Sequence, residues 1–319
     1  MRVLFWGAMF IFVVASPVFG EANFDEWVRG VKAEAIEQGI SGSLVDQAFQ
    51  DVEPIPRVLE LDRKQPESRM TFVEYRQMIV SAERIAQGRE MMAQHRDLLH
   101  QVGQHYGVQP RFIVALWGIE TFYGKNSGGY RIVDALATLA FDGRRSQYFR
   151  TELLNALRIL QDGHTSLDTM KSSWAGAMGQ CQFMPSSFLQ LAVDFDGDGR
   201  KDIWNTPADV FASAANYLSQ SGWRGNQIWG RPVLLPNGFD LKEVTLKSSK
   251  PLPVWQHLGI RTPDGSNLPL APLKASMVMP DGEGGPAYLV YENYRVIMKW
   301  NRSTYFATSV GLLADALEE

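Results

Sequence analysis

Along most of the chain, apolar residues recur at steps of three and four, the spacing of helices rather than strands. From Asn23 to about Leu99 this pattern is interrupted by Pro54, Pro56 and Pro66. Phe24, Trp27, Val31 and Ala35 form its first stripe, and Ser81 to His100 reads as one long helix. Pro110 then opens an unusually apolar helix, Arg111–Ile119, at a position where proline costs no hydrogen bond. Ile132–Leu139 and Phe149–Leu160 continue the helical spacing on either side of Gly143-Arg144-Arg145. After Trp229 the character changes. Prolines at 232, 236, 251, 253, 263, 269, 272 and 280 alternate with short β-prone runs, of which Lys274–Met279 and Ala287–Tyr291 are the strand candidates. Tyr305–Leu317 returns to helix. The pattern predicts a mainly α protein: a helical N-terminal region (21–100), a helical core (101–230), a small β-rich insertion (231–292) and a C-terminal helical segment (293–319) packed on the core.

Within that frame, two segments carry candidate chemistry. Glu120 ends the apolar helix, and helical spacing places Leu116, Trp117 and Tyr123 around its carboxyl group. A carboxyl desolvated in this way resists ionisation, which suits a general acid. The alternative is a buried glutamate held by a neighbouring donor. The second segment is Ser173-Trp174-Ala175-Gly176-Ala177-Met178-Gly179-Gln180-Cys181-Gln182-Phe183-Met184-Pro185. Its small residues allow close approach of a helix or a ligand. Ser173, Gln180 and Gln182 supply neutral groups of the kind that recognise sugar hydroxyls and acetamides. A tight helix crossing would also explain the segment.

A third segment has cation-binding spacing. Asp194, Asp196, Asp198, Gly199, Asp202 and Asn205 occupy positions 1, 3, 5, 6, 9 and 12 of an EF-hand-like loop, with the Arg200 carbonyl at position 7. Asn205 in place of the bidentate glutamate, and Lys201 in place of an apolar residue, predict weak calcium binding. An acidic solvated turn is the competing reading.

Charge and cysteine content narrow the functional classes. The chain carries 31 Lys and Arg against 35 Asp and Glu, a formal net charge of −4, which is no nucleic-acid footprint. Its single cysteine, Cys181, excludes an internal disulfide, and without a histidine close in sequence it is a poor nucleophile candidate. Arg2, the apolar run Val3–Ala15, Pro17 and the small Gly20 fit an export signal cleaved before Glu21. The run is short against the roughly twenty residues of a spanning helix. No cysteine marks a lipid anchor near the cleavage point, so a periplasmic protein without stable membrane insertion is expected, an uncleaved anchor being the alternative.

Together the motifs resemble the membrane-bound lytic murein transglycosylase B family, whose members cut peptidoglycan glycan strands. The resemblance rests on Gly118–Gly124, Ser173–Ser187 and Asp194–Gly199. It extends to Ala214-Ala215-Asn216-Tyr217-Leu218 before Gly222-Trp223, and to Trp300-Asn301-Arg302-Ser303. It implies a lysozyme-like helical core with Glu120 as the lone catalytic residue. That residue would first protonate the bond from N-acetylmuramic acid to N-acetylglucosamine. It would then deprotonate the muramyl C6 hydroxyl, which closes a 1,6-anhydro ring. Ser173, Gln182, Tyr217 and Asn301 are the implied substrate contacts, with no cofactor for catalysis and a structural calcium in the acidic loop. Trp300 and Phe306 stand where relatives often carry tyrosine, which removes any hydroxyl contact there. A hydrolytic muramidase and a non-catalytic peptidoglycan-binding scaffold are the alternatives. No motif points to a protein partner.

Overall fold

The computed structural model describes residues 21–63 and 70–318; the expected export signal and Pro66 lie outside them. The N-terminal region forms α1 (Glu21–Glu37), α2 (Gly42–Ala48), α3 (Pro56–Arg63), α4 (Phe72–Ile79), α5 (Ala82–Gln94) and α6 (Arg96–Tyr106). Phe24, Val31 and Ala35 of the first stripe are buried, and Trp27 packs beside them against Phe141. The long helix expected over Ser81–His100 is two helices. Ser81 caps α5, its Oγ accepting the Arg84 N–H at 3.2 Å, and His95 (φ −107°, ψ 21°) separates α5 from α6. At this break the His95 ring packs edge-on against Trp117 and Phe211, a tertiary contact that apolar spacing does not encode.

α7 (Pro110–Thr121) is buried from Phe112 through Gly118 and lies at the centre of the helical body. Helices that are apolar all round belong in such positions. It packs on α5, α6, α11 (Pro207–Gln220) and α14 (Thr304–Glu318). Beside it, α8 (Ile132–Phe141) and α9 (Ser146–Gln161) form a hairpin that carries α10 (Pro185–Leu191). The Arg144-Arg145 turn of this hairpin is tied to α3. Buried Asp62 receives the Arg144 Nε at 2.8 Å and the Arg145 Nη2 at 2.6 Å. A two-stranded ribbon, β1 (Tyr130–Arg131) with β2 (Lys171–Ser172), leads into the glycine-rich motif.

Beyond Trp229 the chain forms a four-stranded antiparallel sheet in the order β3-β6-β5-β4, from β3 (Gly230–Val233), β4 (Lys250–Pro251), β5 (Lys274–Val278) and β6 (Ala287–Val290). Its register pairs Met277 with Leu289 and Val278 with Tyr288. Alternation along the strands sends Met277 and Leu289 into a small core with Trp255 of α12 (Leu252–His257), and Val278, Tyr288 and Val290 into the main core. Burial on both faces anchors the sheet to the helical body. α13 (Glu292–Trp300) follows β6 and leads into α14, where Phe306 is buried as a core residue.

Candidate active site

The position of Glu120 is set by how α7 ends. Past Thr121 the backbone turns left-handed at Phe122 (φ 51°) and Tyr123 (φ 59°). The Thr121 Oγ1 holds the turn by accepting the Gly124 N–H at 3.0 Å. The helix therefore stops before Tyr123, and the ring expected beside the Glu120 carboxyl folds back elsewhere. It lies against Gly118, and its hydroxyl donates to the Arg84 carbonyl at 2.7 Å. Leu116 and Trp117 do flank Glu120, joined by Cys181, Phe211 and Trp300 in a gap too narrow for a water-sized sphere.

That dry wall controls the proton. Glu120 keeps limited solvent access, yet burial raises its pKa to about 7, against the pull of one donor, Trp300. The Trp300 Nε1 donates to the Glu120 Oε1 at 2.7 Å. Among the described residues no carboxylate or cation contributes to the shift. The next acids along the chain, Asp134 and Asp142, face arginines: Asp142 pairs with Arg63 at 3.0 Å, and Asp134 lies 3.6 Å from Arg131 without a hydrogen bond to its Oδ1. Cys181 is buried, donates to the Val210 carbonyl at 3.2 Å, and has its pKa pushed up chiefly by burial. A thiol so protonated is no nucleophile.

The glycine-rich motif is a compact double turn. Met178 and Phe183 exchange backbone hydrogen bonds, and the Ser173 N–H donates to the Ala177 carbonyl. At Gly179 (φ 62°) an added Cβ would lie 2.7 Å from the Ile203 carbonyl oxygen. The Gln180 amide, a candidate for sugar contact, is used internally. Its Oε1 accepts the Trp117 Nε1–H at 2.7 Å and its Nε2 donates to the Trp204 carbonyl at 2.7 Å. Gln182 (φ 50°) donates through Nε2 to the Ser127 and Gly179 carbonyls, leaving Oε1 as an acceptor. Gly128, next to Ser127, packs so closely on Ser172 and Ser173 that a Cβ would come within 2.2 Å of the Ser172 backbone. One short strap thus touches the backbone beside Ser173 and the side chain of Gln182. The Ser173 Oγ accepts the Ala175 and Ala177 N–H groups at 3.3 and 3.2 Å, so its own proton remains free to donate.

Trp300 links this motif to Glu120. Its ring packs 4.7 Å from Tyr217 and 5.3 Å from Phe183, the residue after Gln182. Tyr217 donates from its hydroxyl to the Lys299 carbonyl at 2.7 Å. Asn301 is exposed, and its Oδ1 accepts the Ser303 N–H at 3.0 Å. Glu120, Tyr217, Trp300 and the Gln182–Phe183 step therefore form one cluster. The Trp300–Glu120 hydrogen bond joins positions 180 residues apart, so local patterning could not reveal it.

In the acidic loop, Asp194, Asp196 and Asp209 bring carboxylate oxygens within 4.8 Å of one another. None forms an ion pair with a cation among the described residues. This donor set fits a hard cation. Asp209, from the first turn of α11, lies outside the twelve-residue spacing. It accepts the Phe195 and Asp202 N–H groups, each at 2.7 Å, one on each oxygen. Asp198 is not in the converging trio: its Oδ1 accepts the Arg200 N–H at 2.8 Å. The Asn205 amide donates to Asp202. Burial opposes ionisation of Asp194, but N–H donors from Gly199, Gly197 and Asp198 hold its pKa below the usual value.

A helical body that presents one isolated, protonatable carboxyl beside a sugar-competent loop defines a glycan-cleaving enzyme without a carboxylate pair. Residues 23–315 match the transglycosylase SLT domain, and the chain belongs to that family. It is 36% identical over 254 residues to the membrane-bound lytic murein transglycosylase B of Escherichia coli K12, covering 77% of this chain and 67% of that protein. Among solved structures, SltB3 of Pseudomonas aeruginosa in complex with NAG-anhNAM-pentapeptide is 43% identical, with a TM-score of 0.89 over 92% of this chain and 79% of that one. The Escherichia coli Slt35 structure in complex with calcium is 31% identical, with a TM-score of 0.77 over 91% and 92%.

Proposed function

We propose that the protein is a peptidoglycan lytic transglycosylase in which Glu120 is both acid and base. Protonated Glu120 gives its proton to the glycosidic oxygen between N-acetylmuramic acid and N-acetylglucosamine, and the C1–O bond breaks. The resulting carboxylate takes the proton of the muramyl C6 hydroxyl as that oxygen bonds to C1, which closes the anhydro ring and restores the acid. No water is consumed. A pKa of about 7 suits a group that must give and regain one proton near neutrality. The observation that carries this reading is that no carboxylate among the described residues acts on Glu120, whose shift comes from burial and Trp300, whereas a two-carboxylate hydrolysis needs a second acid across the bond.

Ser173 has a free hydroxyl proton for the N-acetyl carbonyl of a sugar, and the Gln182 Oε1 is an open acceptor for a hydroxyl. Tyr217, whose pKa is raised by burial, stays protonated and lines the same groove. The Asn301 amide hydrogens supply an outer contact. Asp194, Asp196 and Asp209 would hold a calcium ion for stability, with the Arg200 carbonyl, Asp198 and Asn205 as further oxygen donors in the same loop. The protein acts in the periplasm after export. No helix among the described residues is long and apolar enough to cross a membrane. Digestion of purified sacculi, with product masses read directly, tests the reaction. Anhydro-muramyl ends that vanish with Glu120→Gln are expected. Reducing ends alone would mean hydrolysis by water, and bound but uncut sacculi would mean a binding protein.

A further inference from the structure

The basic face of α13 has no role in the chemistry just described. Arg295 and Lys299 stand one turn apart on the helix, and Arg302 follows just beyond its end. With Leu246 and Met298 they line an open groove of about 570 Å³ that contains no acidic residue among the described residues. In a chain of net charge −4, such a one-signed groove is a local departure. Arg302 is exposed and has no ion-pair partner among the described residues. Lys299 spends one donor on the Ser221 carbonyl at 2.7 Å. Arg295 donates to the Ser276 Oγ at 2.7 Å and lies 3.6 Å from Glu292. The groove at Arg131 and Lys171 is a weaker candidate, because Asp51 and Asp168 line it too and offset its charge.

The location ties the groove to the reaction. Trp300, which hydrogen-bonds the Glu120 carboxyl, lies between Lys299 and Arg302 in sequence, and the Lys299 carbonyl receives the Tyr217 hydroxyl. The groove's cations and the Trp300 that bonds Glu120 therefore share α13 and the turn that ends it. We propose that this groove is a subsite for the acidic peptide carried by the muramic acid of the substrate. Its carboxylates would meet Arg302, Lys299 and Arg295, and its small apolar side chains would rest on Leu246 and Met298. The inference depends on the transglycosylase reading and adds a preference for peptide-bearing over peptide-free glycan.

Calorimetry in a Glu120→Gln background, where strands are not consumed, reads this preference directly. The probes are glycan strands of equal length, with their peptides intact or removed by an amidase. Peptide-bearing strands should bind about tenfold more tightly at low salt, as a few exposed charge contacts allow. At about 0.5 M salt the advantage should shrink through screening. Arg302→Glu, an exposed position whose reversal leaves the packing intact, should erase most of it, and Lys299→Gln should reduce it in the same direction. Equal affinity for both strands, a salt-independent difference, or a preference that survives Arg302→Glu would overturn the subsite while leaving the transglycosylase reading standing. Failure of the unmodified enzyme to release anhydro products from sacculi would overturn that reading, and the subsite with it.

Discussion

At the residue scale, the fold holds Glu120 against its own ionisation. Its folded-state pKa, about 7, lies above the ordinary 4.5, so folding favours the neutral form. The associated stability is fully present below about pH 4.5 and is lost as pH rises through about 7, with a ceiling of about 3 kcal/mol. Glu120→Gln should therefore match wild type in denaturant titrations near pH 4 and exceed it in stability above about pH 8. The same substitution should lower glycan cleavage by orders of magnitude, because the amide has no acidic proton to deliver. Equal stability of the two proteins across that range would mean that the carboxyl is not desolvated. Trp300 sets the other side of the balance. Its N–H favours the charged carboxylate, so Trp300→Phe should raise the Glu120 pKa and move the alkaline limb of the pH–rate profile upward by about one unit. A slower enzyme with an unmoved limb would reduce Trp300 to a packing role. Leu116 and Trp117 were readable beside Glu120 because they share its helix. Tyr123 was misplaced because the helix stops two residues earlier, in a left-handed turn that its own residues do not announce.

At the element scale, periodicity carried most of the fold. α1, α7, α8, α9 and α14 follow the apolar spacing, and β5 and β6 the strand-prone runs. What escaped depends on contacts between elements. The break at His95 is one case, since apolar spacing continues across it without a glycine or proline to mark it. The internal use of Gln180 is another. A glutamine in a glycine-rich loop reads as a binding group until Trp117 and Trp204 are found occupying its amide. The loop's exactness of shape also has a local test. Gly179 adopts a left-handed conformation against the Ile203 backbone, with no flexible side-chain end alone to yield. Gly179→Ala should destabilise the protein by about 2–4 kcal/mol and weaken cleavage with it, since Gln180 and Gln182 move with the turn. Denaturant unfolding beside activity on sacculi measures both, and an alanine variant of wild-type stability would show that the turn can shift without cost.

At the scale of the whole molecule, the acidic loop connects α10 to α11, and so joins the glycine-rich motif to the helix that carries Tyr217. Asp194, Asp196 and Asp209 lie close together without a cation among the described side chains to balance them, so an added divalent ion should gather loop and helix into one unit. Spacing along the chain made Asp194 and Asp196 legible. It could not reveal Asp209, which reaches the loop only because α11 folds back onto it. A ligand present at about a hundredfold excess over its dissociation constant stabilises a fold by about 2.7 kcal/mol, or roughly 5 °C for a chain of this size. Calcium should therefore raise the melting temperature of the purified protein by a few degrees, and a chelator should reverse the rise. Asp209→Asn will lower the melting temperature in chelator as well, because one of its two N–H acceptors is lost. The informative quantity is the calcium-dependent increment, which should disappear in that variant if Asp209 is a ligand and persist if it only caps the loop.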